Sequence, residues 1–250
     1  MPDARSIPLG RIYDDLAFLM PLITPPAEYA EEAAHWRTLL REKLGSGRHA
    51  ILELGVGGGH NLSHFAAEFD ATAVDLSGAM LAHCRRLNPG VKLVQGDMRT
   101  VRLGETFAAV LIHDAISYML NEADLAAAFA TAAAHLRPGG VFITSPDRYR
   151  ETFQSPSIDH ATHGAGDREV TYFEYTHDPE PADTIVESII TCLIRSPGEL
   201  RIEHDRHLTG LFPRATWLRL LQAAGFTVET RIFALPDWPH PYELLVGTLA

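Results

Sequence analysis

The chain has 250 residues, 46% of them hydrophobic, enough to bury a full core in a single domain. Its formal net charge of −11 repels phosphate backbones and argues against nucleic acid as a partner. No apolar run reaches the roughly eighteen residues of a membrane span, the N-terminus lacks the layout of a signal peptide, and the two cysteines, Cys84 and Cys192, stand far apart, so a reducing, cytoplasmic setting is expected.

Taken in chain order, residues 1 to about 26 are proline-rich at both ends and enclose a short amphipathic stretch, "IYDDLAFLM". Pro25-Pro26 opens a helix in which Tyr29, Ala33, Trp36, Leu39, Leu40 and Leu44 recur at helical spacing, and Gly45 and Gly47 end it. An alternation follows: strand "AILEL", helix "NLSHFAAEF", strand "ATAVD", a helix opened by Ser77, strands "VKLVQ" and "FAAVLIH", an Ala-rich helix closed by "RPGG", and strand "VFITS". Apolar strands between helices imply a parallel sheet covered on both faces. From Asp147 to Asp167 the chain is polar and reads as loop or short helix. "EVTYFEYTH", "TIVESIITCLI" and "ELRIEHDRHLTGL" then read as three antiparallel strands. A helix, "PRATWLRLLQAAGF", and two strands, "TVETRIFAL" and "YELLVGTLA", close the chain. The expected organisation is an N-terminal helical cap (1–48), an α/β core (49–146 and 211–250) and an antiparallel insert (147–210) acting as a lid.

"ILELGVGGGH" places a glycine loop after the first strand. A dinucleotide fingerprint wants Gly-x-Gly-x-x-Gly there, with an acid about twenty residues on. Gly55 and Gly57 match, but the third glycine position is His60, and an acid, Glu53, already ends the strand. A carboxylate there disfavours a pyrophosphate and suits a positively charged ligand. The next two strands also end in acids, Asp75 and Asp97. Asp75 can accept hydrogen bonds from vicinal ribose hydroxyls, and Asp97 can accept from an adenine amino group with Met98 on the ring. All three acids lie on the carboxyl edge of the sheet, and together they imply an adenosine with a cationic, amino-bearing tail and no phosphate.

This pattern resembles the class I S-adenosylmethionine-dependent methyltransferases. The residues that carry the resemblance are "ELGVGGG" (53–59), "VDLSGAML" (74–81), "QGDMR" (95–99), "FAAVLIHDAISYML" (107–120), "LRPGGVFI" (136–143) and "LLQAAGF" (220–226). "YDDLAF", the Tyr29 helix and the insert are similar to the small-molecule branch, which includes sugar N,N-dimethyltransferases. The resemblance implies a doubly wound, Rossmann-like seven-stranded sheet with the last strand antiparallel, S-adenosylmethionine as cofactor and a small-molecule methyl acceptor. It further implies that Gly55 and Gly57 admit the methionine part, Asp75 holds the ribose, Leu76 and Met80 flank the adenine, Asp97 and Met98 bind its edge, and Tyr13 and Tyr29 cap the cofactor. His113 would face the methyl group, as a base for a substrate amine or hydroxyl. Tyr118 departs from the pattern, standing where the sugar N-methyltransferases carry a histidine.

Two other functions stay open at this level: a non-catalytic S-adenosylmethionine-binding protein and an NAD-type oxidoreductase, the latter disfavoured by Glu53 and His60. "HATH" offers His160 and His163 at a spacing that suits metal on a helix, but Gly164 and Gly166 argue against a helix, and no metal is expected. In "IEHDRHL", His204 and Arg206 share one face and Asp205 and His207 the other. One face of the insert is expected over the site and the other in solvent or in a homodimer interface; the pattern does not say which.

Overall fold

The computed structural model describes residues 6–235 and 241–250. Seven strands form the main sheet in the order β10-β11-β5-β4-β1-β2-β3. In chain order these are β1 (Ala50–Leu54), β2 (Asp70–Asp75), β3 (Lys92–Gln95), β4 (Phe107–Ile112), β5 (Leu136–Thr144), β10 (Phe226–Phe233) and β11 (Tyr242–Leu249). β1 to β5 run parallel, and β11 runs antiparallel to both β5 and β10. The order reverses between β1 and β4. There the chain leaves the carboxyl ends of neighbouring strands in opposite directions and opens a crevice.

Composition explains the layers. β4 is buried at every position, as an apolar strand covered on both faces must be. On one face, helix α2 (Ala30–Leu44) buries Trp36, Leu39 and Leu40 against Ile51, Leu111 and Ile143. On the other, α5 (Glu122–Ala134) and α6 (Arg214–Ala223) bury Phe129, Trp217 and Leu221 against Val110, Phe142 and Leu245. Each such side chain contributes about 1.5–3 kcal/mol by leaving water. Ser77 accepts from the Met80 backbone N–H at 3.1 Å and starts α4 (Gly78–Leu87), as its position predicts.

A second, four-stranded antiparallel sheet holds β6 (Ser157–Ala165), β7 (Arg168–His177), β8 (Ile185–Ser196) and β9 (Glu199–Gly210). Its inner face, Val170, Ile190, Cys192 and Ile194, packs on Ile12, Leu16, Leu19 and Ile23 of the N-terminal segment, which includes the single turn α1 (Met20–Ile23).

Three expectations need correction. β6 occupies part of the stretch read as loop, so His160 and His163 lie in a strand and face opposite ways; His163 bonds Leu22 O at 2.8 Å and Glu28 at 3.0 Å. The helix after the glycine loop is only α3 (His60–Ser63) followed by a 3-10 turn (Ala66–Glu68). "RPGG" lies inside the irregular start of β5, where the register with β4 shifts, rather than closing a helix.

Candidate functional site

The crevice at the reversal point is a cavity of about 670 Å³. Every residue singled out from the sequence as a candidate site residue lines it. β1 delivers Glu53, whose side chain is turned from bulk water (2% exposed) and whose Oε2 has no hydrogen-bond partner. Burial pushes its carboxyl up to about 8; the charge of His113 pulls against that, and Asp114 and Asp75 add lesser rises. A buried acceptor without a donor is costly and calls for a ligand that supplies one.

The loop after β1 turns on glycines in the left-handed region, Gly55 (φ 76°) and Gly57 (φ 54°). A Cβ on Gly55 would collide with the Ala115 side chain and lie 2.7 Å from Met98 Cε. The loop is tied to β2 by Gly55 N–H and Val56 N–H donating to Val74 O (2.8 and 3.0 Å). Gly57 N–H donates to Asp75 Oδ2 at 2.7 Å, and Ser77 N–H donates to Asp75 Oδ1 at 2.8 Å. Each Asp75 oxygen thus keeps lone pairs free toward the cavity. Its pKa is raised by burial, in part offset by those N–H donors.

Asp97 is clasped by its own neighbour: Arg99 donates through N (2.8 Å) and Nε (3.0 Å) to Oδ1 and through Nη2 (2.6 Å) to Oδ2, which holds the carboxyl pKa low. Met80 is buried behind the loop while Leu76 is exposed at the cavity rim. Tyr29 stands edge-on to His60, ring centroids 5.7 Å apart.

His113, which the resemblance offers as a base, is held between two carboxylates. Its Nε2 lies 2.5 Å from Glu32 Oε1 and its Nδ1 3.1 Å from Asp114 Oδ1. Burial opposes its charge, but the two carboxylates outweigh burial and raise its pKa well above the ordinary 6.5. An imidazolium with both N–H groups engaged has no lone pair to accept a proton. The motif placed His113 correctly at the end of β4; its partner Glu32, on α2, is not legible from spacing.

In the sequence His60 stands out only as a departure from the dinucleotide fingerprint, and alternation alone does not assign the faces of β9. The structure brings His60, buried at the start of α3, and His207 of β9 to the cavity with Tyr118. Tyr118 hydroxyl lies 2.8 Å from Tyr13 hydroxyl and 2.8 Å from His207 Nδ1.

A methyltransferase domain model matches residues 51–140. The dTDP-3-amino-3,4,6-trideoxy-alpha-D-glucopyranose N,N-dimethyltransferase of Streptomyces venezuelae is 35% identical over 89% of this chain and 92% of its own. The chain belongs to the S-adenosylmethionine-dependent methyltransferases. The crystal structure of Streptomyces venezuelae DesVI matches this methyltransferase with a TM-score of 0.80 at 30% identity, covering 100% of both chains. CalS10, an amino pentose methyltransferase from Micromonospora echinaspora with S-adenosylmethionine bound, matches at 0.76 and 28% identity, over 89% of this chain and 92% of that one. The methyltransferase's own residues fit that cofactor: an unpartnered buried carboxylate at Glu53 for a cationic amine, and a glycine loop with no room for a Cβ at Gly55. The oxidoreductase and the non-catalytic readings are not favoured.

Proposed function

We propose that this methyltransferase methylates the amino nitrogen of a small sugar. The observation that carries the reading is one cavity joining two chemically different ends: unpaired Glu53 at the end of β1, and the polar group Tyr13, Tyr118 and His207 beneath β9. The first end suits a cofactor with a cationic tail; the second suits a polar acceptor. In this reading Glu53 takes the cofactor's amino group, Gly55 and Gly57 let its methionine part approach the backbone, and Asp75 accepts from the ribose hydroxyls. Leu76 and Met80 flank the adenine, with Asp97 and Met98 at its edge. Tyr29 and Tyr13 cap the cofactor from the N-terminal segment, and His113 is a charged brace for Asp114. When bound, the cofactor would supply an electrophilic sulfonium methyl for transfer to the acceptor nitrogen, with S-adenosylhomocysteine as the leaving group.

The chain's own work is mostly positioning and exclusion of water. The N-terminal cap and the insert 147–210 serve as a lid over both ligands. The outer face of the second sheet exposes Ile158, Phe173, Tyr175 and Ile202, and we assign it to a homodimer interface. Cys84 and Cys192, both buried free thiols, support a cytoplasmic setting. The test is incubation with S-adenosylmethionine and dTDP-3-amino-3,4,6-trideoxy-alpha-D-glucopyranose, read by mass spectrometry. Mono- and dimethylated sugar is expected. A chain that binds the cofactor yet methylates no amino sugar contradicts the acceptor assignment.

A further inference from the structure

A row of hydrogen bonds crosses the acceptor end of the cavity without involving Glu53 or Asp75. Asp205, 1% exposed on β9, accepts from the backbone N–H groups of Arg11 (2.9 Å) and Ile12 (2.7 Å), and its Oδ2 lies 2.8 Å from His207 Nε2. His207 Nδ1 is 2.8 Å from the Tyr118 hydroxyl, itself 2.8 Å from the Tyr13 hydroxyl. The rings are packed as well as bonded: Tyr13 lies 5.6 Å from Tyr118 and 5.1 Å from His207, centroid to centroid. Three separate pieces of the chain, the N-terminal segment, the 3-10 turn Asp114–Tyr118 and β9, contribute one member or more.

We propose that Tyr13, Tyr118, His207 and Asp205 form a proton relay that drains the acceptor amine, with His207 as the proton's destination. The proposal rests on the reading that the acceptor is an amine. An ammonium has no lone pair to attack with, and each methyl transfer to a neutral amine regenerates an ammonium; a proton therefore has to leave on every turnover. The ammonium N–H gives its proton to the Tyr13 oxygen, the Tyr13 hydroxyl proton passes to the Tyr118 oxygen, and the Tyr118 proton passes to His207 Nδ1. Both phenols end neutral, the amine ends with a free lone pair, and His207 ends as an imidazolium whose Nε2–H faces the Asp205 carboxylate. Tyr13 touches the acceptor; Tyr118, His207 and Asp205 act through it.

The same heavy-atom row serves both protonation states. In the structure the Tyr118 hydroxyl donates to the Tyr13 oxygen, the direction that matches a charged His207 donating from Nδ1 to Tyr118. With His207 neutral, both hydroxyls rotate and donation runs from Tyr13 to Tyr118 to Nδ1. Neither phenol competes as a resting anion: burial and then Asp114 raise the Tyr13 pKa, and burial and then Tyr13 raise that of Tyr118. Facing the row are Asp205 from its own strand and, acting on the phenols, Asp114, Glu174 and Asp147. Neighbouring Arg206 is turned to Glu187 at 3.0 Å. His113 is no rival acceptor, because carboxylates hold both of its nitrogens.

The test compares wild type, Tyr118→Phe and His207→Gln, each folded and loaded with S-adenosylhomocysteine. Tyr118→Phe keeps the ring and removes only the bridging hydroxyl. Histidine-ring NMR, assigned by loss of one ring in His207→Gln, is expected to show His207 titrating between roughly pH 5 and 9, with its midpoint displaced in Tyr118→Phe. A His207 ring fixed in one state across that range overturns the relay. Methylation of the amino sugar by Tyr118→Phe is expected to fall by about tenfold to a hundredfold in kcat/KM near neutral pH, with the deficit closing at alkaline pH, where the amine is already neutral, and with KM for S-adenosylmethionine unchanged. A deficit that is the same at every pH overturns it, since that is what a packing defect gives. A wild type that transfers no methyl to that sugar condemns the acceptor assignment, and the NMR result then decides whether His207 takes protons.

Discussion

Glu53 is the residue on which the proposed cofactor placement turns. Its carboxyl is buried, unpartnered on one oxygen and raised to about 8, against an ordinary value near 4.5. The ionised form is thus penalised in the ligand-free protein, and the penalty grows as pH rises from about 4.5 to 8 and is complete above that. Glu53→Gln is expected to stabilise the ligand-free chain at pH 8 by about 1–2 kcal/mol in denaturant unfolding, and to weaken S-adenosylmethionine by tenfold or more. A cation placed on Glu53 restores the ionised form. Binding near pH 6.5 is therefore expected to release a proton, seen as an enthalpy that changes with the buffer's ionisation enthalpy, and the release is expected to vanish in Glu53→Gln. The sequence exposed this residue because an acid where a phosphate loop should begin is chemically discordant. It did not expose the brace on His113, since Glu32 meets that ring only after α2 docks on the sheet.

Among the elements, the loop after β1 tolerates little change. Gly55 has φ 76° and no space for a Cβ beside Ala115 and Met98. Gly55→Ala is expected to lower stability by about 1–3 kcal/mol and to reduce cofactor affinity more than Gly45→Ala, where φ is also positive but the space is open. Circular dichroism melts and calorimetry on the two variants make the comparison. Elements with a plain pattern are legible: β1, β2 and β4 follow from apolar runs, α4 from Ser77 at its N-cap and α5 from its alanine-rich run. β6 was not, because its residues are mostly polar and include Gly164; its pairing with β7 supplies the order that composition does not. The short α3 has a similar cause. After Ser63 the chain tightens into a 3-10 turn to reach the edge of β2, and tertiary closure overrides helical propensity.

At the scale of the molecule, two sheets meet over one cavity, and the N-terminal segment is the seam. Asp205 fastens that seam by accepting from Arg11 and Ile12, while Leu9 pairs with Arg206. The outer face of the second sheet is the other molecular feature left to account for. Phe173→Lys, on that exposed face and remote from the cavity lining, is expected to convert the assigned homodimer to monomer in light scattering without altering cofactor affinity. The faces of β9 were unreadable in one dimension; alternation separates them but does not say which looks inward.

The most direct measurement is calorimetric titration of S-adenosylmethionine into wild type and Asp75→Asn, with matching circular dichroism spectra as the control for folding. Asp75 receives Gly57 N–H and Ser77 N–H, so the amide keeps the shape but loses much of its capacity to accept ribose hydroxyls. Binding by the wild type that weakens at least tenfold in Asp75→Asn is the expected result. Equal affinity in the two proteins would contradict the placement of the cofactor along the acids at the strand ends.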